Sequence, residues 1–259
     1  MKIFPIEQVG INEIDAYGIV WYGNYLKYYH QAQQSFIQKF GELIAMNFHD
    51  SKKYGEVAKV VTYVINDQYI YQTILVGNRT INEALFKLSN SLLVDYINKS
   101  IKRKIKLMQM IEQKSVKPQD YLGFCDTMVR VYHNMLNGNT ISYEVALDLF
   151  EQSRTKLIGG NLRLSFLHSQ EDCLFVVSKL NGLKRSNIKV QCMDIIISRV
   201  TLVRYTNRMI FMFRHELLLG DKVIFECELQ LCSFSMKKKT LTPISKKTET
   251  TVFEMFTQC

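Results

Sequence analysis

The stretch "EIDAYGIVWYGNYLKYYHQAQ", residues 13–33, sets a carboxylate at Asp15, a glycine three residues on at Gly18, and then a dense aromatic run. An isolated Asp ahead of a glycine is ordinarily a turn. The residues after it make this one more informative. Tyr25, Tyr29, Ala32, Phe36 and Phe40 recur at three- and four-residue spacing, while Lys27, Gln31, Gln34 and Gln38 fall on the other side. That spacing predicts an amphipathic helix over 24–40, with Gly41 as its stop. The acid and the glycine therefore sit in a loop that feeds a helix N-terminus.

Strand-like runs come next: "VAKVVTYVI" at 57–65, "QYIYQTILV" at 68–76 and "ALFKLSNSLLVDYI" at 84–97. They are rich in β-branched and aromatic residues and are separated by Asn- and Gly-bearing turns. "EQKSVKPQD", residues 112–120, reads as a linker. After it the order recurs. In "VYHNMLNGNTISYEVALDLFEQSRTKLIGG", residues 131–160, Gly138 stands where Gly18 stood. With one extra residue allowed, Ile141 answers Val20 and Ser142 answers Trp21. A second helix comes after these, with Val145, Leu149, Ser153 and Leu157 on one face, and then strand-like runs at 173–180, 190–203, 209–218 and 222–234. The chain reads as a duplication, 1–115 and 116–259. In each half one long helix must bury its face on an antiparallel sheet, an α+β architecture.

Composition narrows the partners. A 259-residue chain with 47% apolar and 22% charged residues can bury a sizeable core. Its net charge of +9 favours anionic partners: nucleic acid, anionic lipid or phosphorylated small molecules. The lysine-rich runs 99–106 and 237–239 contain no aromatic residue for base stacking, which argues against single-stranded nucleic acid. No apolar run is long enough to form a transmembrane helix. The six cysteines form no C-x-x-C pair and no zinc spacing, and read as free thiols of a reducing compartment. "MKIFPIEQVG" lacks the pattern of a signal or transit peptide, so the cytoplasm, or a mitochondrion reached by another signal, is expected.

The pattern in each half resembles a hotdog domain, in which a long helix is wrapped by an antiparallel sheet. The whole resembles a tandem, or double, hotdog. "DAYGIVWYGNYLKYYHQA" is similar to the D-x-x-G-x-V-x-x-x-x-Y-L motif of the 4-hydroxybenzoyl-CoA thioesterase family. "FMFRHELLLGDKVIFECELQLCSFSMKKKTLTPIS" resembles the acyl-CoA and acyl-carrier-protein thioesterase branch.

The resemblance implies thioester hydrolysis of acyl-CoA or an acyl-carrier-protein thioester, as in fatty acid metabolism. Asp15 would be the base or nucleophile and the Tyr22 N–H the oxyanion donor, with Gly18 letting the loop approach substrate. Trp21 and Tyr25 would line the acyl or aryl pocket. Many relatives carry a helix carboxylate where this chain has His30, which would orient substrate. In the second half Met135 stands in the place of the acid, which leaves that copy inactive, while Glu151 retains the helix carboxylate. No metal or redox cofactor is implied. The basic runs would meet coenzyme A phosphates or protect sheet edges.

A second reading belongs to another class. The degenerate second loop and the loss of the helix acid in the first half fit a hotdog scaffold without activity. Such a scaffold would be an accessory subunit of a larger protein complex, in a mitochondrion or elsewhere. A homodimer is compatible with either reading. A dehydratase would pair a His with a carboxylate in a different loop pattern, absent from this sequence.

Overall fold

A computed structural model describes residues 2–6, 13, 20–34, 41–53, 55–65, 68–88, 106 and 123–250. The chain divides into two compact units. One is Met1–Ser115 with Lys179–Leu183; the other is Val116–Ser178 with Lys184–Cys259.

In the first unit, β1 (Lys2–Ile6) is followed by α1 (Tyr22–Gln34), β2 (Glu42–Phe48), β3 (Ala58–Val64), β4 (Tyr69–Val76) and β5 (Arg79–Lys87). The strands pair antiparallel in the order β1-β3-β4-β5-β2. Residues Lys179–Leu183 pair with β2 as a further strand. Helix α1 starts two residues earlier than its spacing predicts. Tyr25, Tyr29 and Ala32 are buried as expected, and Lys27, Gln31 and Gln34 are exposed. Tyr28, His30 and Gln33 are buried as well, so α1 is covered on more than one stripe. The predicted residues 35–40 lie outside the described part.

The sheet of this unit is buried on both faces. Tyr29 on α1 donates to Asn82 Oδ1 at 2.6 Å, and Gln33 Nε2 donates to Gln72 Oε1 at 2.8 Å, so Asn82 and Gln72 face the helix. On the other face Ile44, Ala45, Tyr71 and Leu85 form an apolar cluster. There the buried Glu83 carboxylate accepts from Tyr71 Oη and pairs with His49 Nε2 at 2.8 Å. Two predicted strands match β3 and β4. The third, expected over 84–97, is displaced: β5 starts at Arg79, and residues 89–97 lie outside the described part. Strand β2 escaped prediction. Its "ELIAMNF" is built largely of helix-favouring residues with no alternation, and Leu43 to Met46 are all buried.

The second unit carries β6 (Gly123–Arg130), a short hairpin of β7 (Leu136–Asn137) and β8 (Thr140–Ile141), and α2 (Tyr143–Leu157). Then come α3 (Gly160–Glu171), β9 (Leu174–Arg185), β10 (Ile195–Thr206), β11 (Ile210–Leu219), β12 (Lys222–Ser235) and β13 (Thr240–Leu241). Strands β6-β10-β11-β12 pair antiparallel, with β13 and the flanks of β9 beside β12. Helix α2 packs on β6, β10 and β11 and buries Leu149, Ser153 and Leu157, as its spacing predicts. Arg154 is buried with them. Helix α3 has no sequence signature: Leu167 is its one buried residue. β12 keeps the predicted alternation from Phe225 to Leu231. Among the described residues no helix is long and apolar enough to cross a membrane.

Candidate functional site

Strand β2 runs into a loop at Asp50–Lys53, and this loop meets the chain entering α1. Val20 is buried and donates its N–H to Lys52 O at 2.9 Å. Trp21 N–H donates to Glu13 O at 3.0 Å, and Asn24 Nδ2 donates to the same carbonyl at 3.0 Å. The Glu13 carboxylate accepts from Lys27 Nζ at 3.2 Å and from Tyr28 Oη at 3.0 Å. Glu13 thus ties the entry of the loop to the first two turns of α1, and both ends of residues 14–19 are anchored. Burial and the Glu13 charge push the Tyr28 hydroxyl pKa far up, so it stays a donor.

Tyr22 is the first residue of α1, where helix N–H groups and the positive end of the dipole are presented. Its ring meets Phe48 edge-on and lies 5.2 Å from Trp21. Trp21 is half-buried, and its indole folds back over Gly23. A Cβ on Gly23 would lie 2.1 Å from the indole Cζ3. Tyr25 is buried edge-on to Tyr28 and Phe48, and its hydroxyl accepts from Lys52 N–H at 3.0 Å. The Lys52 side chain is fully buried. Its ammonium lies 5.3 Å from the Tyr28 ring centroid and makes no hydrogen bond among the described residues. Burial holds its pKa below the ordinary lysine value, with Glu13 and Glu56 opposing.

Of the residues predicted for the site, Tyr22, Trp21 and Tyr25 share this junction. Asp15 and Gly18 lie outside the described residues. His30 is buried further along α1, with its ring 6.3 Å from that of Phe86. Glu151 is half-buried on α2, at the ninth position of its helix, as His30 is the ninth of α1. Glu13 and Lys52 had no assigned role in the sequence. Their side-chain partners lie 11 or more residues away, beyond any local pattern. Lys237–Lys239 are exposed in the turn from β12 to β13, where the Lys237 N–H donates to Asp172 Oδ1. Of the run 99–106 only Lys106 is described, and it is exposed.

The second unit builds its junction differently. Ser142 precedes α2 as Trp21 precedes α1, in line with the predicted correspondence. Its Oγ caps the helix by accepting from Val145 N–H at 3.2 Å. An indole has no acceptor, so Trp21 cannot cap α1 in that way. Ser142 N–H donates to Met135 O at 3.3 Å, the bond that Trp21 makes to Glu13. By that bond Met135 takes the place of Glu13 rather than of Asp15. The loop then holds residues 136–141 where the first unit holds 14–20, one residue fewer. Gly138 turns the β7–β8 hairpin at φ +63°.

Among the described residues no group of three His, Cys, Asp or Glu is arranged to hold a metal. Cys125, Cys173, Cys192, Cys227 and Cys232 are free thiols.

No protein-family model matches the chain, and no curated protein matches it. Solved structures do. An oleoyl thioesterase, described as putative, from Lactobacillus plantarum aligns at 8% identity over 90% of this chain and 96% of its own, with a TM-score of 0.56. The 12:0-ACP thioesterase from Umbellularia californica aligns at 9% identity over 89% and 94%, with a TM-score of 0.57. The dehydratase domain of PpsC from Mycobacterium tuberculosis, in complex with C12:1-CoA, aligns at 12% identity over 83% and 85%, with a TM-score of 0.52. At these identities the likeness establishes the fold, the tandem hotdog.

Proposed function

We propose that the protein hydrolyses acyl thioesters carried on coenzyme A or on an acyl-carrier protein. The observation that carries this reading is the junction at Tyr22: a long helix whose N-terminus is not capped by the side chain before it, with its entry loop pinned at Glu13 and Lys52. Thioester hydrolysis needs a base or nucleophile and a donor for the oxyanion. Asp15 takes the first role. It draws a proton from water as the water oxygen attacks the thioester carbonyl carbon, or it attacks that carbon itself and forms an acyl anhydride, which water then cleaves to release the acid and restore the Asp15 carboxylate. The Tyr22 N–H takes the second. Collapse of the tetrahedral oxyanion breaks the C–S bond, and the thiolate leaves to be protonated.

Gly18, Trp21 and Tyr25 would bound the acyl pocket, with His30 as a further substrate contact; Glu151 would hold the corresponding substrate-contact position on the helix of the second unit, and the two hotdog domains would divide at 115/116. The fold is shared with two proteins described as thioesterases and with a dehydratase domain that holds an acyl-CoA, which supports a thioester ligand. The net charge of +9 suits a phosphate-bearing carrier. Free thiols suit the cytoplasm or the mitochondrial matrix.

One observation favours the other reading, an inactive accessory subunit. Tyr22 and Tyr25 are buried with their rings against Phe48, and Tyr25 also meets the buried Tyr28, so aromatic side chains already fill that side of the junction. Thiol release from acyl-CoAs of graded chain length, aryl-CoAs and an acyl-carrier protein decides between the two, with the six native cysteines subtracted. Turnover on any of them supports the hydrolase; none, from folded protein, supports the scaffold.

A further inference from the structure

Strand β6 is an edge with an unusual pattern. Among the described residues it pairs with β10 alone. Val131, just beyond its end, donates its N–H to Asp194 O and accepts from Met193 N–H, so its main-chain groups point toward β10. Alternate residues of a strand direct these groups to opposite sides. The even residues Asp126, Met128 and Arg130 therefore direct N–H and C=O outward, along the open edge.

Their side chains share one face and are exposed, with Met128 78% and Phe124 43% accessible. Phe124 is partly covered by the Arg199 guanidinium at 4.7 Å, and Arg199 also holds Asp126 in a two-point ion pair at 2.8 and 2.7 Å. The edge carries none of the usual protections: no proline, no run of lysines and no bulge on β6.

The order of side chains is symmetric about Met128. Asp126 lies two residues before it and Arg130 two after; Phe124 lies four before and Tyr132, 54% exposed, four after. We propose that β6 pairs antiparallel with β6 of a second copy of this chain, about a two-fold axis through Met128. In that register Met128 faces its own counterpart, each Asp126 faces the partner's Arg130, and each Phe124 faces the partner's Tyr132. The parity agrees. Pairs of even residues are the hydrogen-bonded ones, so three pairs form with main-chain groups that are already directed outward. Opposite charges at two symmetric places and an apolar centre are what a self-complementary interface requires. The proposal is independent of the thioesterase reading.

Light scattering on the purified full chain at tens of micromolar tests it, together with two variants checked for native circular dichroism. The wild type is expected to be a dimer. Arg130→Glu sets a carboxylate opposite Asp126 twice and is expected to weaken dimerisation roughly tenfold or more. Met128→Cys sets two thiols across a hydrogen-bonded pair, at a spacing of about 5.5 Å that a disulfide accepts. It is expected to give a covalent dimer under mild oxidation that the wild type, with its native thiols, does not. A monomeric wild type overturns the proposal. So does a dimer that Met128→Cys fails to cross-link, or one that Arg130→Glu leaves intact, either of which assigns the contact to another surface.

Discussion

Gln33 on α1 donates to Gln72 on β4 at 2.8 Å, and the equivalent positions of the second unit are Arg154 and His215, 3.5 Å apart. Gln33 and Arg154 are each the twelfth residue of their helix. Gln72 lies between Thr62 and Ala84 in its sheet, as His215 lies between Val200 and Cys227. The first pair belongs to a closed chain, in which Gln72 Nε2 donates to Thr62 and Gly41 N–H donates to Gln33. In the second, the guanidinium donates to Nε2 of a fully buried imidazole, whose Nδ1 has no hydrogen-bond partner among the described residues. The two units thus share a helix–sheet polar contact, uncharged in the first and titratable in the second.

Acid should therefore act on the second unit. Burial and the adjacent Arg154 charge hold the His215 pKa well below 6.5. The unfolded chain takes up the proton that the folded one refuses. The stabilisation from neutral His215 is complete above about pH 6.5 and is lost as pH falls below it. The loss grows steadily as pH falls further. Urea unfolding of wild type and His215→Gln, which copies the first unit, should diverge in slope against pH below that point. Parallel curves would contradict this account.

Gly23 tests the packing of the junction. Alanine is the better helix former by about 1 kcal/mol. Against that, its Cβ would sit 2.1 Å from the Trp21 indole. The clash wins, because the ring must leave its seat over the helix. Gly23→Ala should lower stability by about 1–3 kcal/mol. Trp21 is the sole tryptophan, so a red shift of its emission reports the displacement directly. A variant more stable than wild type with unchanged emission would mean that the indole does not rest there.

Lys52 makes its structural contacts through its main chain, to Val20 and Tyr25. Its buried ammonium carries a desolvation cost and makes no hydrogen bond among the described residues. Lys52→Met keeps the stem and removes the charge. Thermal melts should find the variant as stable as wild type or up to about 2 kcal/mol more stable. A large loss of stability would show that the ammonium holds the fold.

Much of the helix face was legible because period 3.6 survives burial: Tyr25, Tyr29 and Ala32 fell where their spacing set them. Gln33 was not, since its burial depends on Gln72, 39 residues away. Strand β2 was missed because a strand covered on both faces loses its alternation, and α3 because a helix that buries only Leu167 has no stripe to read. Within the site, the resemblance pointed to the loop–helix junction. It missed Glu13 and Lys52, whose roles arise from main-chain carbonyls and from a loop brought in from β2. Met135 was matched to Asp15 by its distance from Gly138, but the hydrogen bond from Ser142 matches it to Glu13.

In the proposed hydrolysis, thioesters turn over at the Tyr22 junction through Asp15. The experiment that decides this is kcat on the best acyl thioester for wild type and for Asp15→Asn, with matched circular dichroism spectra. Loss of the base or nucleophile predicts a fall of about a hundredfold or more in kcat at an unchanged fold. An Asp15→Asn variant that turns over as fast as wild type would contradict the account.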